Sequence, residues 1–456
     1  MRWRIRPSRI DGSLSVPGDK SIAHRALMLA ALAGGRSEIN NLPNGGDVLA
    51  TAGCLRALGV DIDPAAGRVV VSSPGRLAAP ERELDAANSG TTMRLLAGIL
   101  VGQPFASCLT GDDSLRRRPM GRVVEPLTQM GASIRSEAGR APLTIEPAQL
   151  RGIEYTLPVL SAQVKSAILL AGLFADGVTT VIEPAPTRDH TERMLQALGA
   201  GVSTAPVQHA GGRGAPCPEA PTTAVAGASL ACPVGARRIT LTPGGCLEPF
   251  RLTVPGDQST AAFFFAAAAL QGADVVIRDL DFNPTRTGFL HALRRMGASI
   301  EMRNAREELG EPVGDVAISG RAVRPIDISR DTVPLLVDEI PLLALLATQA
   351  AGESVIRGAE ELRVKESDRI AGVGSLLRVM GADVEDLPDG FVIRGPTPLC
   401  GATVSSGGDH RLAMMGAVAG TIAAGETRVE GAEAAAVSFP GFLEAFAALG
   451  GDIAVA

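Results

Sequence analysis

Val16-Pro-Gly-Asp-Lys-Ser21 recurs almost unchanged as Val254-Pro-Gly-Asp-Gln-Ser259. Each copy begins a helix of small apolar residues, with its aspartate as the N-cap. Because the copies lie about half the chain apart, we interpret them as two crossovers that join two domains and form a hinge. The predicted parts are an inserted domain at 19–254, a discontinuous domain of 1–18 plus 255–456, and a hinge near 16–19 and 254–257.

Outward from these stretches, the chain contains six copies of one unit. Each copy begins with a polar N-cap followed by a helix that is apolar on nearly all sides, which predicts a buried helix. The N-caps are expected near Asp19, Asn88, Ser161, Asp257, Asp338 and Asp409. The helix ends are expected near Gly35, Gly102, Gly177, Gly272, Gly352 and Gly425.

A second element closes a more polar helix in each copy. It consists of a bulky apolar residue, a glycine and a small residue, and the glycine is predicted to be the left-handed C′ residue. The six glycines are Gly59, Gly131, Gly199, Gly297, Gly381 and Gly450. Strands follow both helices, so the unit is helix–strand–helix–strand, with three units per domain of an α/β protein. We expect an irregular insertion at 205–236 and, from Trp3 and Ile5, a strand at the N-terminus.

Composition limits the function. The net charge of −6 and an aromatic content of 3% argue against nucleic-acid binding. The six cysteines show no C-x-x-C spacing, which indicates a reduced, cytoplasmic protein without a zinc site. The first residues have no signal-peptide core, and the apolar run 261–270 is too short to span a membrane. We therefore expect small-molecule partners, no metal and no cofactor.

The polar residues that open the buried helices are mostly cationic. If the helix N-termini converge on a cleft, their dipoles also favour anions there. Lys20, Ser21, His24 and Arg25 share the first turns of one helix, and Lys20, Lys165 and Lys365 are the only lysines among 43 basic residues. A ligand that carries several phosphates or carboxylates suits such a set.

Other candidate positions have ordinary alternatives. The run Arg116–Arg118 is equally typical of a solvated face, Arg188 is as compatible with an ion pair to Asp189 as with phosphate binding, and Asp338 is either a helix cap or a general base. The remaining candidates are Gly90 and Arg94, Ser161-Ala162-Gln163, the cluster Glu361–Arg369, and Asp409-His-Arg411.

Six motifs in order carry a resemblance to a known family. They are VPGDKSIAHRAL, NSGTTMRLL, LTGDDSLRRRPM, LSAQVKSA, ELRVKESDR and GGDHRLAM. Together they resemble the enolpyruvylshikimate-phosphate synthase family over about residues 12–442. The resemblance implies a two-domain inside-out α/β barrel with three copies of one unit per domain. It also implies transfer of the enolpyruvyl group of phosphoenolpyruvate to the 5-hydroxyl of shikimate-3-phosphate by addition and elimination, in the shikimate pathway to chorismate and aromatic amino acids.

The resemblance also implies site residues. Those for shikimate-3-phosphate are Lys20, Ser21, Arg25, Ser161, Ala162, Gln163, Arg188, Asp338 and Lys365. Those for phosphoenolpyruvate are Lys20, Gly90, Arg118, Gln163, Arg369 and Arg411. Asp338 is expected to take the hydroxyl proton, Glu366 to exchange a proton with the methylene carbon, and Lys20 to assist both substrates.

One stretch departs from the family pattern. Some members carry a lysine before Thr-Phe-Pro near the C-terminus, whereas this chain has Ala436-Val-Ser-Phe-Pro440. Gly90 stands where glyphosate-tolerant members can carry alanine, so we expect a glyphosate-sensitive enzyme.

Three alternatives stay open at this point. A sister enolpyruvyl transferase that acts on a UDP-amino sugar carries a cysteine where this chain has Asp113. An RNA-terminal cyclase is disfavoured by the acidic charge balance. A non-catalytic anion-binding protein would need no base at Asp338. We expect a monomer.

Overall fold

The computed structural model describes residues 1–65, 68–207 and 235–456. Most of the insertion predicted at 205–236, with Cys217 and Cys232, lies outside these residues. The described cysteines, at 54, 108, 246 and 400, are all free. No helix in the described part of the chain has the length and apolar character needed to cross a membrane.

The described residues form helices and short strands in a regular alternation. The α-helices are α1 (Lys20–Leu32), α2 (Gly46–Ala57), α3 (Gly90–Leu100), α4 (Asp113–Arg117), α5 (Gly121–Gln129), α6 (Ala162–Gly172), α7 (His190–Ala197), α8 (Gln258–Gln271), α9 (Gly288–Met296), α10 (Ile340–Ala347), α11 (Arg369–Val379), α12 (His410–Gly420) and α13 (Phe442–Ala448). Short 3-10 helices cover Val333–Leu335, Glu360–Val364 and Ala432–Val437.

The strands of the first half are β1 (Arg2–Ile5), β2 (Gly12–Ser15), β3 (Gly34–Asn40), β4 (Asp61–Ala65), β5 (Arg68–Pro74), β6 (Leu84–Asp85), β7 (Ser107–Thr110), β8 (Ser133–Glu137), β9 (Arg140–Glu146), β10 (Glu154–Thr156), β11 (Thr179–Glu183), β12 (Gly201–Pro206), β13 (Arg237–Thr242) and β14 (Arg251–Thr253). Those of the second half are β15 (Val275–Asp281), β16 (Ser299–Glu308), β17 (Glu311–Ser319), β18 (Asp327–Ile328), β19 (Gly352–Ile356), β20 (Asp383–Leu387), β21 (Gly390–Gly395), β22 (Thr403–Ser405), β23 (Thr427–Glu430) and β24 (Ile453–Val455).

These strands form six four-stranded sheets with one shared order. In the sheet β6-β7-β9-β8, for example, β6 is parallel to β7, and β9 pairs antiparallel with both β7 and β8. The buried helix connects the first two strands, and the polar helix leads into the final hairpin. The unit is therefore longer than predicted, because a short strand precedes the buried helix and the unit ends in two strands rather than one.

Three of the sheets are completed by strands from elsewhere in the chain. The N-terminal strand β1, predicted from its alternating residues, pairs with β23 and β24 of the last unit. Strand β2 pairs with β15, and β14 pairs with β3. The two crossovers each follow such a strand, so the chain leaves a sheet immediately before it enters the other half.

The two Val-Pro-Gly-Asp copies lie side by side. Gly18 and Gly256 form an antiparallel bridge, and the Asp19 N–H donates to the Pro255 carbonyl at 2.7 Å. A Cβ atom on Gly18 would lie 2.2 Å from the Asn41 carbonyl oxygen, which is closer than any side chain can approach. Glycine is required here because the paired crossovers run directly against neighbouring backbone.

Buried apolar residues form two clusters. One draws on residues 22–254, and the other on residues 3–16 together with 261–453. Helix α8, whose residues are buried from Gln258 to Leu270, shows how little polar surface the first helix of a unit presents. The prediction that these helices are buried is confirmed.

Most predicted helix starts are confirmed. The side chains of Asp19, Ser161, Asp257 and Asp409 accept hydrogen bonds from N–H groups of the helices they cap. Two starts are displaced by one residue, since α3 is capped by Ser89 rather than Asn88, and the cap position of α10 is Glu339 rather than Asp338. The displacement leaves the Asp338 carboxylate free to contact other groups.

The predicted ends of the buried helices were less accurate. Only Gly272 caps its helix in a left-handed conformation. Helices α6 and α10 end at Gly172 and Ala347, five residues before the predicted glycines. Gly177 has a positive φ in the connection to β11, and Gly352 has a positive φ as the first residue of β19. These glycines do lie where the chain turns toward the next strand. The helices end several residues earlier, because the chain must reverse direction before it enters the sheet.

The bulky-Gly elements behave as predicted in all six copies. Each glycine has a positive φ, between 83° and 115°. In the first copy the Gly59 N–H donates to the Arg56 carbonyl and the Val60 N–H to the Leu55 carbonyl. These two bonds define a Schellman motif, and the other copies repeat them.

We expect Gly199→Ala to destabilise the fold by about 1–2 kcal/mol, because alanine resists the left-handed conformation. Gly199 has φ +86° and open space around its Cβ position, so the cost comes from the backbone alone. Gly53, inside α2, also has open space but no positive φ, and Gly53→Ala is the matched control. Urea unfolding should show a loss for Gly199→Ala and a small gain for Gly53→Ala. Equal effects would contradict the backbone explanation.

Candidate active site

The N-terminal turns of the buried helices meet between the two clusters. The backbone N–H of Lys20, in α1, donates to Asp257, the cap of α8. Arg94, in α3, donates to Gln163, in α6. Side chains from the starts of α10 and α12 complete this polar region. The region therefore combines the dipoles of the helices with the charged residues near their N-termini.

Asp338 lies at the centre of four cationic groups. Its carboxylate accepts from Arg188 Nη2 at 2.6 Å, and Arg369 Nη1, Arg411 Nη2 and Lys365 Nζ lie at 3.5, 3.6 and 3.9 Å. Burial alone would raise the pKa of Asp338, but the surrounding cations, with Arg411 first, hold that pKa well below its usual range. The sequence left Asp338 as a cap or a base, and the structure places it outside the capping position.

Arg188 reaches Asp338 from the other half of the chain. The pair joins residues 150 positions apart, so no local pattern could have predicted it. The alternative partner considered for Arg188, Asp189, instead accepts from Arg193 Nε at 2.9 Å. Arg188 therefore lies at the cleft in an ion pair with Asp338, and not with its neighbour Asp189.

Glu366 lies beside the same cations. Its Oε2 accepts from Arg369 Nη2 at 2.5 Å, and Arg118 Nη2 approaches Oε1 at 4.0 Å. Burial would raise the pKa of Glu366, but Arg369 holds it well below its ordinary value. Arg369 is itself 1% exposed and donates to Asp409 Oδ2 at 2.8 Å. This salt bridge fixes the guanidinium between the two carboxylates.

Lys20 is held by a carboxylate that the sequence did not single out. Lys20 Nζ lies 2.8 Å from Asp47 Oδ2, which belongs to the first turn of α2. Burial would lower the pKa of Lys20, but Asp47 raises it above its usual value, so the ammonium is charged at neutral pH. The acidic residue in the first turn of a predicted helix was the only signal for Asp47.

Arg25 is deeply buried and fully engaged with protein groups. Its guanidinium donates to Thr191 Oγ1 at 2.6 Å, to Ser166 Oγ at 2.8 Å and to the Ser21 carbonyl at 2.9 Å. Burial lowers the pKa of Arg25 to about 10. Arg25 is therefore buried between α1, α6 and α7.

The start of α6 carries its three predicted residues together. Ser161 caps the helix, Ala162 is its first residue, and the Gln163 side chain accepts from Arg94 Nη1 at 2.5 Å and donates to Thr91 at 3.0 Å. Arg94, which the sequence identified only as a charged residue in need of a partner, thus orients Gln163.

Gly90 lies against two guanidinium groups. A Cβ on Gly90 would approach Arg94 Nη1 to 2.9 Å and Arg118 Nη1 to 3.3 Å. Arg118 donates to Asn88 Oδ1 at 2.9 Å, so it belongs to this site and not to a solvated face. An alanine at this position would therefore have to displace arginine side chains.

A buried arginine joins the two crossovers. Arg286 Nη2 lies 3.1 Å from Asp19 Oδ2 and 3.2 Å from Asp257 Oδ1, and it donates to Ser259 Oγ. Burial would lower the pKa of Arg286, but Asp19 and Asp257 raise it. No local pattern indicated Arg286, because its three partners are all more than 25 residues away.

Residues 436–440, where this chain lacks the lysine that some family members carry, lie close to Lys20. Val437 and Ser438 line a cavity of about 30 Å³ together with Lys20 and Arg411. A Cβ on Gly45 would lie 2.6 Å from the Val437 carbonyl, so the segment packs against the other half of the chain. In the described residues, no group of three or more His, Cys, Asp or Glu side chains could hold a metal ion.

Fold and site together define a class: an α/β protein of six repeated units whose buried helices begin around an arginine-rich polar cleft. Comparison with known proteins is more specific. The family model described as EPSP synthase (3-phosphoshikimate 1-carboxyvinyltransferase) matches residues 5–216 and 225–446, and the chain belongs to this family.

The relatives agree over nearly the whole chain. A 3-phosphoshikimate 1-carboxyvinyltransferase of Geobacillus kaustophilus is 48% identical over 442 residues, which cover 95% of this chain and 96% of the relative. That of Desulforudis audaxviator is 48% identical over 456 residues, covering 98% and 99%. The solved structure of EPSP synthase from Acinetobacter baumannii superimposes with a TM-score of 0.84 at 41% identity, covering 100% of this chain and 99% of that one. The predicted family and fold class are confirmed.

Proposed function

We propose that this protein transfers the enolpyruvyl group of phosphoenolpyruvate to the 5-hydroxyl of shikimate-3-phosphate and releases inorganic phosphate. The observation that carries the proposal is Asp338, a partly buried carboxylate between Arg188, Lys365, Arg369 and Arg411. A base surrounded by cations suits a reaction in which a hydroxyl is deprotonated next to two anionic substrates.

Shikimate-3-phosphate is assigned to the side of the site that contains Arg188 and the start of α6. Arg188 is suited to its phosphate because a guanidinium fork matches phosphate oxygens. Ser161, Ala162 and Gln163 offer a hydroxyl, a helix N-terminus and an amide for the ring hydroxyls and carboxylate. Lys20, Ser21, Lys365 and Asp338 complete the assignment, and Arg25 contributes by ordering the turn of Ser21, whose carbonyl accepts from it.

Phosphoenolpyruvate is assigned to the adjoining cations Lys20, Arg118, Arg369 and Arg411, next to Gly90 and Gln163. Two atoms of this set, Arg118 Nε and Arg411 Nε, are buried and have no hydrogen-bond partner among the described residues. Buried donors without partners are costly unless a ligand satisfies their group. These arginines therefore have donor capacity for the phosphate and carboxylate of phosphoenolpyruvate.

The proposed addition step uses both carboxylates. Asp338 takes the proton of the 5-hydroxyl as its oxygen attacks C2 of phosphoenolpyruvate, and Glu366 gives a proton to the C3 methylene carbon. In elimination, C3 returns its proton to Glu366, the C2–O bond to phosphate breaks, and the proton held by Asp338 leaves with the phosphate. Lys20, Arg118 and Arg411 stabilise the charge on the departing phosphate.

The cations around Asp338 and Glu366 have a consequence for acid–base chemistry. Before substrates bind, the cations around Asp338, with Arg411 first, hold its pKa low, and Arg369 does the same for Glu366, which makes Asp338 a weak base and leaves Glu366 without a proton. Anionic substrates would engage the same cations and raise both pKa values. Substrate binding would then activate the groups that carry out the reaction.

The domain division is part of the proposal. We assign residues 19–254 to one domain and 1–18 plus 255–456 to the other, hinged at the paired crossovers. The two apolar clusters support this division, because each draws its residues from one of the two proposed domains. The two paired crossovers are where the chain passes between them. Arg122–Glu361 at 3.5 Å and Arg118–Glu366 at 4.0 Å bridge the cleft. Closure of the cleft would exclude water from the substrates.

Phosphate release tests the function directly. Purified protein should release inorganic phosphate from phosphoenolpyruvate only when shikimate-3-phosphate is added. Release with a UDP-amino sugar instead would favour the sister transferase. Binding of both substrates without release would favour a non-catalytic anion-binding protein. We further propose a cytoplasmic monomer, which sedimentation of the purified protein and fractionation of cells would test.

Glyphosate is expected to inhibit competitively with phosphoenolpyruvate at moderate concentration. In Gly90→Ala, the new methyl group would press on Arg94 and Arg118, so affinity for both phosphoenolpyruvate and glyphosate should fall. Steady-state inhibition measured across phosphoenolpyruvate concentrations checks the competition. Gly53→Ala, which adds the same methyl group inside α2 where the Cβ position is open, is the control. Indifference of the unmodified enzyme at high glyphosate would contradict the expectation.

A further inference from the structure

Lys165 is an internal lysine with a complete set of partners. Its side chain is 0% exposed, and its Nζ lies 2.8 Å from Glu183 Oε2, 2.7 Å from Glu192 Oε1 and 3.4 Å from the Thr187 carbonyl. An ammonium has three N–H donors, and each has an acceptor here. Burial alone would lower the pKa of Lys165, but the two glutamates raise it, so the charge is kept.

One of these partners shapes the loop that carries Arg188. Glu183 ends β11, and its Oε2 also accepts from the Thr187 N–H at 3.2 Å and from the Thr187 hydroxyl at 2.8 Å. Lys165 thus fixes both ends of the connection between residues 183 and 187. The next side chain, Arg188, extends to 2.6 Å from Asp338 across the cleft.

The neighbouring residues connect the same cluster to α1. Ser166 and Thr191 share a hydrogen bond of 2.7 Å, and both accept from Arg25. In the sequence, Lys165 precedes Ser166 and Glu192 follows Thr191. Their salt bridge is therefore the neighbouring contact in the same interface between α6 and α7. Helices α1, α6 and α7 are therefore cross-linked at one level behind the proposed shikimate-3-phosphate site.

We propose that Lys165 is a positioning residue for shikimate-3-phosphate binding, acting through the Glu183–Thr187 connection on Arg188. The proposal rests on the proposed function, since it assigns Arg188 to that substrate. Lys165 lies behind the loop, where it has no exposed surface, so it acts through other residues and not by contact with the ligand.

This role explains why lysine is present in a chain whose other basic residues are nearly all arginine. A guanidinium is planar and larger than an ammonium, and it cannot direct donors to three oxygens that converge on one point. Two carboxylates and a carbonyl around a single nitrogen fit only the ammonium. We infer that Lys165→Arg would displace the loop that ends at Arg188.

The test is a set of steady-state measurements on Lys165→Met in the full-length enzyme. We expect the KM for shikimate-3-phosphate to rise about tenfold or more, with the KM for phosphoenolpyruvate changed about threefold or less. In an Arg188→Ala background, adding Lys165→Met should change the shikimate-3-phosphate KM by about twofold or less, because the residue through which it acts is gone.

Two further variants separate positioning from stability. Val181 is fully buried in β11, the strand that ends at Glu183. Val181→Ala should lower Tm and leave both KM values unchanged. If Lys165→Met does not fold, Glu183→Gln weakens the same link with a side chain of equal size and should raise the shikimate-3-phosphate KM in the same direction.

Three results would overturn the proposal: no shikimate-3-phosphate effect in the folded variants, equal rises for both substrates, or an undiminished Lys165→Met effect in the Arg188→Ala background. Failure of the proposed function would be seen earlier and separately. In that case the unmodified enzyme would release no phosphate in the presence of shikimate-3-phosphate.

Discussion

Asp338→Asn is expected to reduce kcat by about 10²–10⁴, the range that general acid–base catalysis contributes. The amide keeps the size of the side chain but cannot take a proton from the 5-hydroxyl. Rapid-quench or steady-state phosphate release would measure the loss, and calorimetry would measure the binding of each substrate separately. Turnover at the normal rate by a variant that binds both substrates would refute the assignment of Asp338 as the base.

The same variant should change stability in a pH-dependent way. Asp338 has a folded-state pKa below its unfolded value, so its stabilising effect is present above about pH 4 and disappears as the pH falls through the folded-state pKa. Without this carboxylate, Arg188, Arg369 and Arg411 lose their common partner. We therefore expect a lower Tm at pH 7 that inorganic phosphate partly restores, and a smaller difference from the unmodified enzyme below about pH 4.

A matched control is available for the stability effect. Asp383 has an exposed side chain and only a long contact, 3.8 Å, with Arg394. Asp383→Asn likewise replaces a carboxylate by an amide and removes one negative charge. It should leave Tm and kcat close to the unmodified values, because exposed ion pairs contribute little to stability. A Tm loss of equal size in both variants would show that the cation cluster is not what Asp338 stabilises.

Lys20→Arg is expected to preserve the fold and lower kcat/KM by about 10²–10³, the usual cost of removing one preorganised stabilising donor. Lys20 Nζ is fixed at 2.8 Å from Asp47 beside a cavity of about 30 Å³. A guanidinium is planar and spreads its charge over a wider fork than an ammonium does, so the charge would be displaced from both substrates. Steady-state kinetics and the thermal transition, measured together, check this expectation.

An exposed substitution serves as the comparison for Lys20. Arg2 forms an exposed ion pair with Glu430 at 2.8 Å, and Arg2→Lys exchanges the same two chemistries in the opposite direction. Arg2→Lys replaces a guanidinium by an ammonium at an exposed site, and it should not affect kcat/KM. A Lys20→Arg enzyme with unmodified kcat/KM would show that Lys20 does not act as a compact point charge.

Three lysines illustrate what composition could and could not reveal. Their scarcity among the basic residues is enough to mark Lys20, Lys165 and Lys365 as unusual. Lys20 and Lys365 belong to different halves and lie in the same charged region, with Lys365 Nζ 3.9 Å from Asp338. Lys165 is different, since it is buried between Glu183 and Glu192, which belong to other elements of the fold. Scarcity indicated that a residue mattered but not what it contacted.

The sequence by itself determined the family, the repeated unit and most helix caps. The six Schellman glycines illustrate why: each motif is completed within six residues, so apolar spacing and one glycine specify it. It missed the extra strands of each unit and the borrowed strand β14, because β-pairing depends on distant partners. It also missed Asp47 and Arg286 as parts of the polar region, since each acquires its role from a residue on another element.

Only the tertiary structure decided how the charges pair. The sequence offered Asp189 as the ion-pair partner of Arg188, whereas the structure pairs Arg188 with Asp338, 150 residues away. Asp338 is a weakly basic carboxylate only because four cations from separate segments converge on it. Local conformation is fixed by neighbours a few residues apart, whereas the strength of a charge interaction depends on distance and burial. Those two quantities exist only once the six units are packed together.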